Sequence, residues 1–202
     1  MHISEGVLSA PILISGGILT AAGVAVGLKS MREKDIPRTA ILASALFIAS
    51  LIQIPLGPTS VHLILNGIAG IILGWQIFPA MIIALFLQSI LFQFGGISTL
   101  GINTFNIAFP GMIAFYIFKF HKIGDSKFFL GIISFISGAT AVFLTALMVA
   151  FSLVFTSDSF QEIATLAVGT HIPVIIIEGL ISIFIVFFIK KVKPEIFKEE
   201  LK

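Results

Sequence analysis

The sequence has no cysteine, only one tryptophan and one tyrosine, and few charged residues, which make up 11% of its 202 positions. The lack of cysteine excludes disulfides, iron–sulfur clusters, thiolate metal sites and cysteine nucleophiles. A soluble domain of this length carries roughly 25% charged residues. This chain is instead 57% hydrophobic, with 21 phenylalanines and a mean hydropathy of +1.13. Most of its surface therefore faces a medium less polar than water.

Long apolar runs are the main feature of the sequence. The core of a bilayer is about 30 Å thick and is crossed by about 20 apolar residues in a helix. Runs near this length occur at 7–28, 39–55, 61–76, 78–94, 104–120, 128–155 and 172–190. The third and fourth runs are separated only by Trp75 to Pro79, so they can also be one hairpin. We predict one all-α polytopic membrane domain over residues 1–202, with about seven transmembrane helices and six as the alternative.

The positively charged residues predict the orientation of this domain. All 12 Lys and Arg residues fall in three segments, 29–38, 119–127 and 190–202. Seven crossings place these three segments on the same side of the membrane, and loops rich in Lys and Arg are typically cytoplasmic. We therefore predict that the N-terminus lies outside and the C-terminus lies in the cytoplasm.

The N-terminus offers nitrogen ligands for a metal ion. It lacks the basic region of a signal peptide, so we expect no cleavage and a free amine at Met1. That amine, the His2 amide nitrogen and the His2 imidazole can chelate one ion in adjoining five- and six-membered rings, and His62 can supply a fourth nitrogen. Tetragonal nitrogen sites suit Cu(II) or Ni(II) and accept Co(II), whereas Mg²⁺ and Ca²⁺ prefer oxygen. The alternative for His62 is an interfacial histidine that donates to a carbonyl.

Four further polar residues are candidates near such a site. Glu178 lies within an apolar run, and an ionisable residue at membrane depth suggests function. His171 precedes it by seven residues and can share its helical face. These two residues either line a metal path or support the ligands, or else make a structural hydrogen bond. Asn103 and Asn106 either orient the histidines through hydrogen bonds or cap a helix.

The motifs that are missing limit the possible activities. The chain has no GxxxxGK[ST] sequence, so any ATP that drives transport must be bound by a partner. It has no HExxH sequence, which an intramembrane metalloenzyme would be expected to contain. A secondary transporter working alone would be expected to show inverted repeats and several charged residues at mid-membrane, and only Glu178 is a candidate. We therefore expect a binding and translocation protein rather than an enzyme.

Four segments of the sequence form a recognisable set: Met1 to Gly6, Gly57 to His62, Gly95 to Asn106, and His171 to Gly179. Together they resemble one family, the CbiM/NikM proteins. Members of this family are the substrate-binding S components of energy-coupling factor (ECF) transporters for cobalt and nickel. The resemblance implies a seven-helix fold in which the Met1 amine, the His2 amide and the His2 and His62 side chains hold the metal. It also implies that the loop around 95–106 closes over the ion.

The same resemblance implies a set of partners. These are a transmembrane coupling subunit (CbiQ/NikQ-like), ATPase subunits (CbiO/NikO-like) and a small accessory membrane protein (CbiN/NikN-like); no nucleic acid is expected. Co²⁺ or Ni²⁺ would be the transported ligand, and no cofactor is expected. The protein would be a multi-pass protein of a prokaryotic inner or plasma membrane, supplying cobalamin biosynthesis or nickel enzymes. The tail from His171 to Phe197 looks closer to the cobalt branch, although four nitrogens suit both metals.

Overall fold

The computed structural model describes residues 2–51, 53–56, 59–123 and 126–199. The helices of this part are Ala10–Ser30 (α1), Ile36–Ala49 (α2), Asn66–Leu73 (α3), Ile77–Phe92 (α4), Leu100–Phe118 (α5), Lys127–Val154 (α6), Gln161–Thr170 (α7), Ile172–Val192 (α8) and Glu195–Glu199 (α9). Short 3-10 turns occur at Glu33–Asp35, Gly74–Gln76, Lys119–Ile123 and Asp158–Phe160. The architecture is thus predominantly helical, as the composition predicts.

A short β-hairpin lies within this predominantly helical fold. Strands Gln53–Leu56 (β1) and Thr59–His62 (β2) pair antiparallel, with Gln53 opposite His62. The sequence explains the strand, because Pro55 cannot donate a helical hydrogen bond and a second proline, Pro58, follows three residues later in the sequence. The apolar run at 39–55 therefore ends as a helix at Ala49 and continues as a strand.

Five helical stretches of the described chain are long and apolar enough to cross a membrane. They are Ala10–Ser30, Asn66–Phe92, Leu100–His121, Lys127–Val154 and Asp158–Val192. The predicted run at 39–55 instead contains a helix of 14 residues, and the run at 61–76 becomes the end of a strand followed by a helix of eight residues. The length and composition of the five stretches identify a multi-pass membrane protein.

The short helix α3 forms the centre of the bundle. All eight of its residues are buried, and it packs against α5, α6 and α8. Its glycines allow this packing. A Cβ atom on Gly70 would collide with the carbonyl of Gly111 on α5, and one on Gly67 would lie 2.6 Å from the Cα atom of Gly138 on α6. Small residues at such crossings let helices approach closely in membranes.

The segments that carry the Lys and Arg residues lie together at one end of the bundle. The turn Gly74–Gln76 reaches this end, where Gln76 Nε2 lies 3.3 Å from Asp35 Oδ2. The C-terminal helix returns to the same end, because Phe197 packs on Phe118 with ring centroids 5.4 Å apart. The opposite end contains the N-terminal segment, the β-hairpin and the loop at 93–99.

Candidate metal centre

His2 and His62, the two histidines predicted as ligands, lie beside each other at the end of the bundle away from the basic segments. Both are buried, with 4% and 5% of their surface exposed. Their ring centroids are 4.8 Å apart, and the ring planes are inclined by 28°. Met1, the third predicted contributor, lies outside the described residues. The structure thus brings together two side chains that are 60 positions apart in the sequence.

Asn103 holds the segment that carries His2. Its Oδ1 accepts a hydrogen bond from the Ile3 backbone N–H at 2.9 Å, and its Nδ2 donates to the Ile3 carbonyl at 3.0 Å. The same Nδ2 lies 3.2 Å from Thr99 Oγ1. The Ile3 side chain is fully buried, so it anchors the segment as well. Asn103 therefore acts on the backbone next to His2 rather than on either imidazole ring.

The loop at 93–99 lies against the N-terminal segment. The backbone N–H of Glu5 donates to the Gly95 carbonyl at 3.1 Å, and Ser98 N–H donates to Glu5 Oε1 at 3.3 Å. Gly95 has φ +77°, a conformation that favours glycine. A Cβ atom at this position would lie 3.5 Å from the Cβ of His2. The loop therefore lies directly against the residue that carries the first predicted imidazole.

Two polar residues of this region were not identified as candidates from the sequence. Glu5 bonds the loop at 93–99 through both its backbone and its carboxylate, and Thr99 supports Asn103. Each lies within or next to a segment that carries the family resemblance. The family resemblance of these segments therefore pointed to both positions, whereas a glutamate or a threonine does not by itself indicate a role at the site.

His62 is oriented by the backbone that follows it. Its Nδ1 lies 2.7 Å from the Leu63 carbonyl oxygen, which is the contact considered as the alternative to metal binding. The two roles are compatible. A carbonyl can only accept, so Nδ1 carries the proton and Nε2 keeps the lone pair. Histidines that bind metals commonly donate their other ring N–H to a carbonyl or carboxylate in this way.

Burial keeps both rings neutral at pH 7. Desolvation lowers the pKa of His2 from its ordinary value of 6.5 to about 4. Desolvation also lowers the pKa of His62 to about 4, with the bond to the Leu63 carbonyl partly opposing the shift. Neutral imidazole is the form that coordinates a metal ion, so neither ring has to lose a proton first.

After His62 the chain enters the bundle in an irregular conformation that Glu178 stabilises. Leu65 has φ +54°, in the left-handed region. The backbone N–H of Ile64 donates to Glu178 Oε1, and that of Leu65 lies 2.9 and 3.0 Å from Oε1 and Oε2. The Glu178 carboxylate on α8 is buried. These bonds satisfy amides that have no helical partner and stabilise a carboxylate that would otherwise be costly at this depth.

His171 lies between α7 and α8, and it is also fully buried. Its Nδ1 donates to the Ala167 carbonyl at 2.6 Å, while its Nε2 has no hydrogen-bond partner within the described chain. Helix α7, which ends at Thr170, packs against β2, the strand that contains His62. Asn106 takes a different role, because its Nδ2 donates to Ser152 Oγ at 3.0 Å.

The described side chains do not form a metal cluster of the usual kind. Across residues 2–51, 53–56, 59–123 and 126–199, no three His, Asp or Glu side chains are grouped so that they can hold one ion. A site built on His2 and His62 is therefore expected to use main-chain nitrogens, as the N-terminal sequence predicts.

Comparisons with known proteins point to metal transport. The family model described as the cobalt uptake substrate-specific transmembrane region, CbiM, matches residues 2–196. A putative metal transport protein of Haemophilus influenzae is 40% identical over 203 residues, covering 97% of this chain and 96% of that protein. A putative fused nickel transport protein, NikMN, of Archaeoglobus fulgidus is 28% identical, covering 99% of this chain and 69% of that protein. A transition metal transporter of known crystal structure matches with a TM-score of 0.74 at 25% identity, covering 95% of this chain and 93% of that one.

Proposed function

The chain belongs to the CbiM family of substrate-specific membrane components for cobalt uptake, and from this premise we propose that it captures Co²⁺ or Ni²⁺ for an ECF importer. The observation that carries the proposal is the pair of buried, neutral imidazoles of His2 and His62, 4.8 Å apart beside the N-terminus. The proteins to which the chain is similar are transport proteins, so a transport role is favoured over an enzymatic one.

The proposed site contains four nitrogens. The Met1 amine, the His2 amide and the His2 imidazole form the two chelate rings, and His62 completes the plane. In this plane the amide nitrogen lies between the amine and the His2 imidazole, so the His2 and His62 rings are neighbouring ligands. Metal–nitrogen bonds of about 2 Å place neighbouring ligands of a square plane about 3 Å apart. The two rings lie side by side with centroids 4.8 Å apart, which suits a pair of neighbouring ligands.

The supporting residues have separate roles in this proposal. Asn103 holds the segment carrying His2, and the loop at 93–99 covers it. His171 is a further candidate on the path of the ion, because its buried Nε2 has no partner within the described chain and α7, which ends next to it, packs on the strand that contains His62. Asn106 is assigned to packing between α5 and α6, since its amide binds Ser152.

The proposed membrane arrangement has seven crossings with the metal centre outside. The helix α2 makes the second crossing, and residues 63–65 with α3 make the third as a partly non-helical segment, a device that membrane transporters use at binding sites. The collection of basic segments at the other end supports a cytoplasmic location for that end, in the inner or plasma membrane of a prokaryote.

We also propose that the protein works in a complex. The chain has no phosphate-binding loop, so ATPase subunits and a transmembrane coupling subunit would supply the energy, with a small accessory membrane protein beside them. The imported ion would then supply cobalamin biosynthesis or nickel enzymes.

Metal analysis of the purified protein tests this function. The protein, tagged only at its C-terminus, is loaded with Co²⁺ and Ni²⁺ in competition, and the bound metal is counted. We expect one ion per chain in the parent and its loss in His2→Ala and His62→Ala. His121→Ala is the matched control, since His121 stacks on Phe118 at the basic end and should leave binding unchanged. Full binding by both site variants would reject the proposed centre.

A further inference from the structure

We propose that Glu178 is a positioning residue for metal capture, which acts on His62 through the peptide unit that joins Leu63 to Ile64. In this arrangement the carboxylate selects the ring tautomer of His62 and makes Nε2 a better ligand. The inference rests on the proposed function, since it concerns how the same metal centre is prepared.

One peptide unit connects the two side chains. The Leu63 carbonyl and the Ile64 N–H belong to the same planar group, and in a trans peptide they point in opposite directions. The carbonyl accepts the His62 Nδ1–H at 2.7 Å, and the N–H donates to Glu178 Oε1. Glu178 therefore bonds the N–H side of this peptide unit, and the carbonyl side of the same unit bonds the imidazole ring of His62.

In its ionised form, Glu178 acts on His62 along this chain of hydrogen bonds. A carboxylate that accepts an N–H polarises the peptide, and consecutive hydrogen bonds strengthen one another where the local dielectric is low. The Leu63 carbonyl oxygen becomes a stronger acceptor, so the proton of His62 is held on Nδ1. The lone pair is then on Nε2, and the basicity of Nε2 rises. Metal-binding histidines are commonly tuned by a carboxylate on the far ring nitrogen, and here a peptide lies between the two groups.

Leu65 requires the same carboxylate. Its N–H bonds both oxygens of Glu178, and its backbone is in the left-handed region with φ +54°. A glutamine at 178 has one acceptor oxygen, so its NH₂ group would face one of these N–H groups. The packing of α8 also fixes Glu178, because Gly138 on α6 leaves room for its backbone: a Cβ atom there would lie 2.9 Å from the Glu178 carbonyl.

The direct test measures the tautomer of His62 in the protein without added metal. Ring ¹⁵N NMR of histidine-labelled protein, assigned with His62→Ala, is compared between the parent and Glu178→Gln. We expect the parent to be in the Nδ1–H form, and Glu178→Gln to shift toward a mixture of tautomers. Ser182→Ala is the matched control, because Ser182 lies one turn further along α8 and is also buried.

The second measurement is metal affinity by calorimetry. Glu178→Gln replaces the charge-assisted hydrogen bonds to the Ile64 and Leu65 N–H groups with weaker or repulsive contacts. This change should weaken Ni²⁺ and Co²⁺ binding by about tenfold at unchanged stoichiometry. Glu178→Asp keeps the charge on a shorter side chain and should give a smaller loss. Ser182→Ala should bind like the parent.

The outcomes separate the inference from the function. An unchanged His62 tautomer and unchanged affinity in Glu178→Gln would overturn the inference and leave the metal centre intact. If Glu178→Gln changes the His62 tautomer but the parent binds neither Ni²⁺ nor Co²⁺, the coupling between Glu178 and His62 is retained and the proposed function is rejected. If Glu178→Gln does not fold, Glu178→Asp decides, because its shorter side chain cannot keep the same bonds to the Ile64 and Leu65 N–H groups. A His62 spectrum and an affinity equal to those of Ser182→Ala would then overturn the role of Glu178.

Discussion

Asn103 pairs with both backbone polar groups of Ile3, accepting from its N–H at 2.9 Å and donating to its carbonyl at 3.0 Å. This pairing joins the first turn of α5 to the residue that follows His2, although the two residues are 100 positions apart. An amide side chain can satisfy a peptide in this way because it has one donor group and one acceptor group. The backbone of the N-terminal segment is therefore bound to the bundle through one donated and one accepted hydrogen bond, as a residue of a β-strand is bound to the neighbouring strand.

We predict that Asn103→Ala weakens metal capture by about tenfold or more. The substitution leaves two buried polar groups of Ile3 without partners, and an unsatisfied buried group costs about 1–3 kcal/mol. That cost favours release of the segment and therefore opposes assembly of the site. Calorimetric titration with Ni²⁺ measures the effect.

Asn106→Ala is the control for this measurement. Asn106 is on the same helix and is equally buried, but its amide bonds Ser152 rather than the N-terminal segment. It should alter thermal stability more than affinity. Equal losses of affinity in the two variants would mean that general damage to α5, and not release of Ile3, explains the result.

We predict that extending the N-terminus changes the metal chemistry in a length-dependent way. A long tag converts the Met1 amine into a distant amide and should abolish capture. A single added residue moves the histidine to position three, where the amine, two amides and the imidazole can supply four nitrogens. That variant should still bind Ni²⁺ or Cu²⁺, but without His62.

Combining the extension with His62→Ala makes the second part of this prediction testable. His62→Ala should reduce Ni²⁺ affinity in the parent and leave it unchanged in the one-residue extension. The native and extended termini are verified by mass spectrometry before titration. Undiminished binding in the long-tagged protein would show that the terminal amine is not a ligand.

We predict that acidification releases the N-terminal segment. Burial lowers the pKa of His2 and of His62 from 6.5 to about 4. When the N-terminal segment is released from the bundle, the two histidines regain their ordinary pKa and bind protons more readily than when the segment is docked. Docking of the segment is therefore at full strength above about pH 6.5 and weakens as the pH falls toward 4. Each histidine contributes at most about 1.4 kcal/mol per pH unit in this window.

Hydrogen exchange of residues 2–9, corrected for intrinsic rates, measures this release in protein without added metal. Protection should fall steadily from pH 6.5 to pH 4.5. The double variant His2→Ala/His62→Ala should show weaker protection that hardly changes with pH. The same pH dependence in the double variant would assign the effect to other groups.

The sequence predicted those parts of the fold that depend on local composition. The apolar runs located α1, α4, α5, α6 and α8, and the spacing of Lys and Arg predicted that their segments share one end. The N-terminal motif singled out His2 because three ligands within two residues form a local pattern. His62 could be paired with it because both were predicted on the same side of the membrane.

The remaining features depend on contacts between distant residues. Nothing in the sequence near Glu178 indicates that its carboxylate binds the amides of Ile64 and Leu65, because backbone groups leave no residue-type signal. The eight-residue length of α3 is similarly set by tertiary packing. The run at 61–76 is apolar throughout, so hydropathy cannot show that the helix begins only at Asn66, where the side chain bonds Ile107 O and Thr145 Oγ1.

We predict that concentrative uptake requires active ATPase partners. Cells that produce this protein with its coupling and ATPase subunits should accumulate radiolabelled Co²⁺ or Ni²⁺, and ATPase-dead partners should abolish accumulation. Metal capture by the isolated protein should be the same in either case, since it needs no nucleotide. Full uptake with inactive ATPases would favour a transporter that works alone.

The last prediction concerns which end of the bundle faces outward, and the lack of cysteine makes it simple to test. Ser126 and Ser159 are exposed and flank opposite ends of α6, a helix of 28 residues that is about 42 Å long. Single cysteines at these positions therefore report on the two sides of the membrane without background labelling. Intact cells treated with an impermeant thiol reagent should label Ser159→Cys and not Ser126→Cys, while permeabilised cells should label both. The basic segments lie at the Ser126 end and the metal centre at the Ser159 end, so one experiment orients both. The reverse pattern would place His2 and His62 in the cytoplasm, where they could not capture an ion for import.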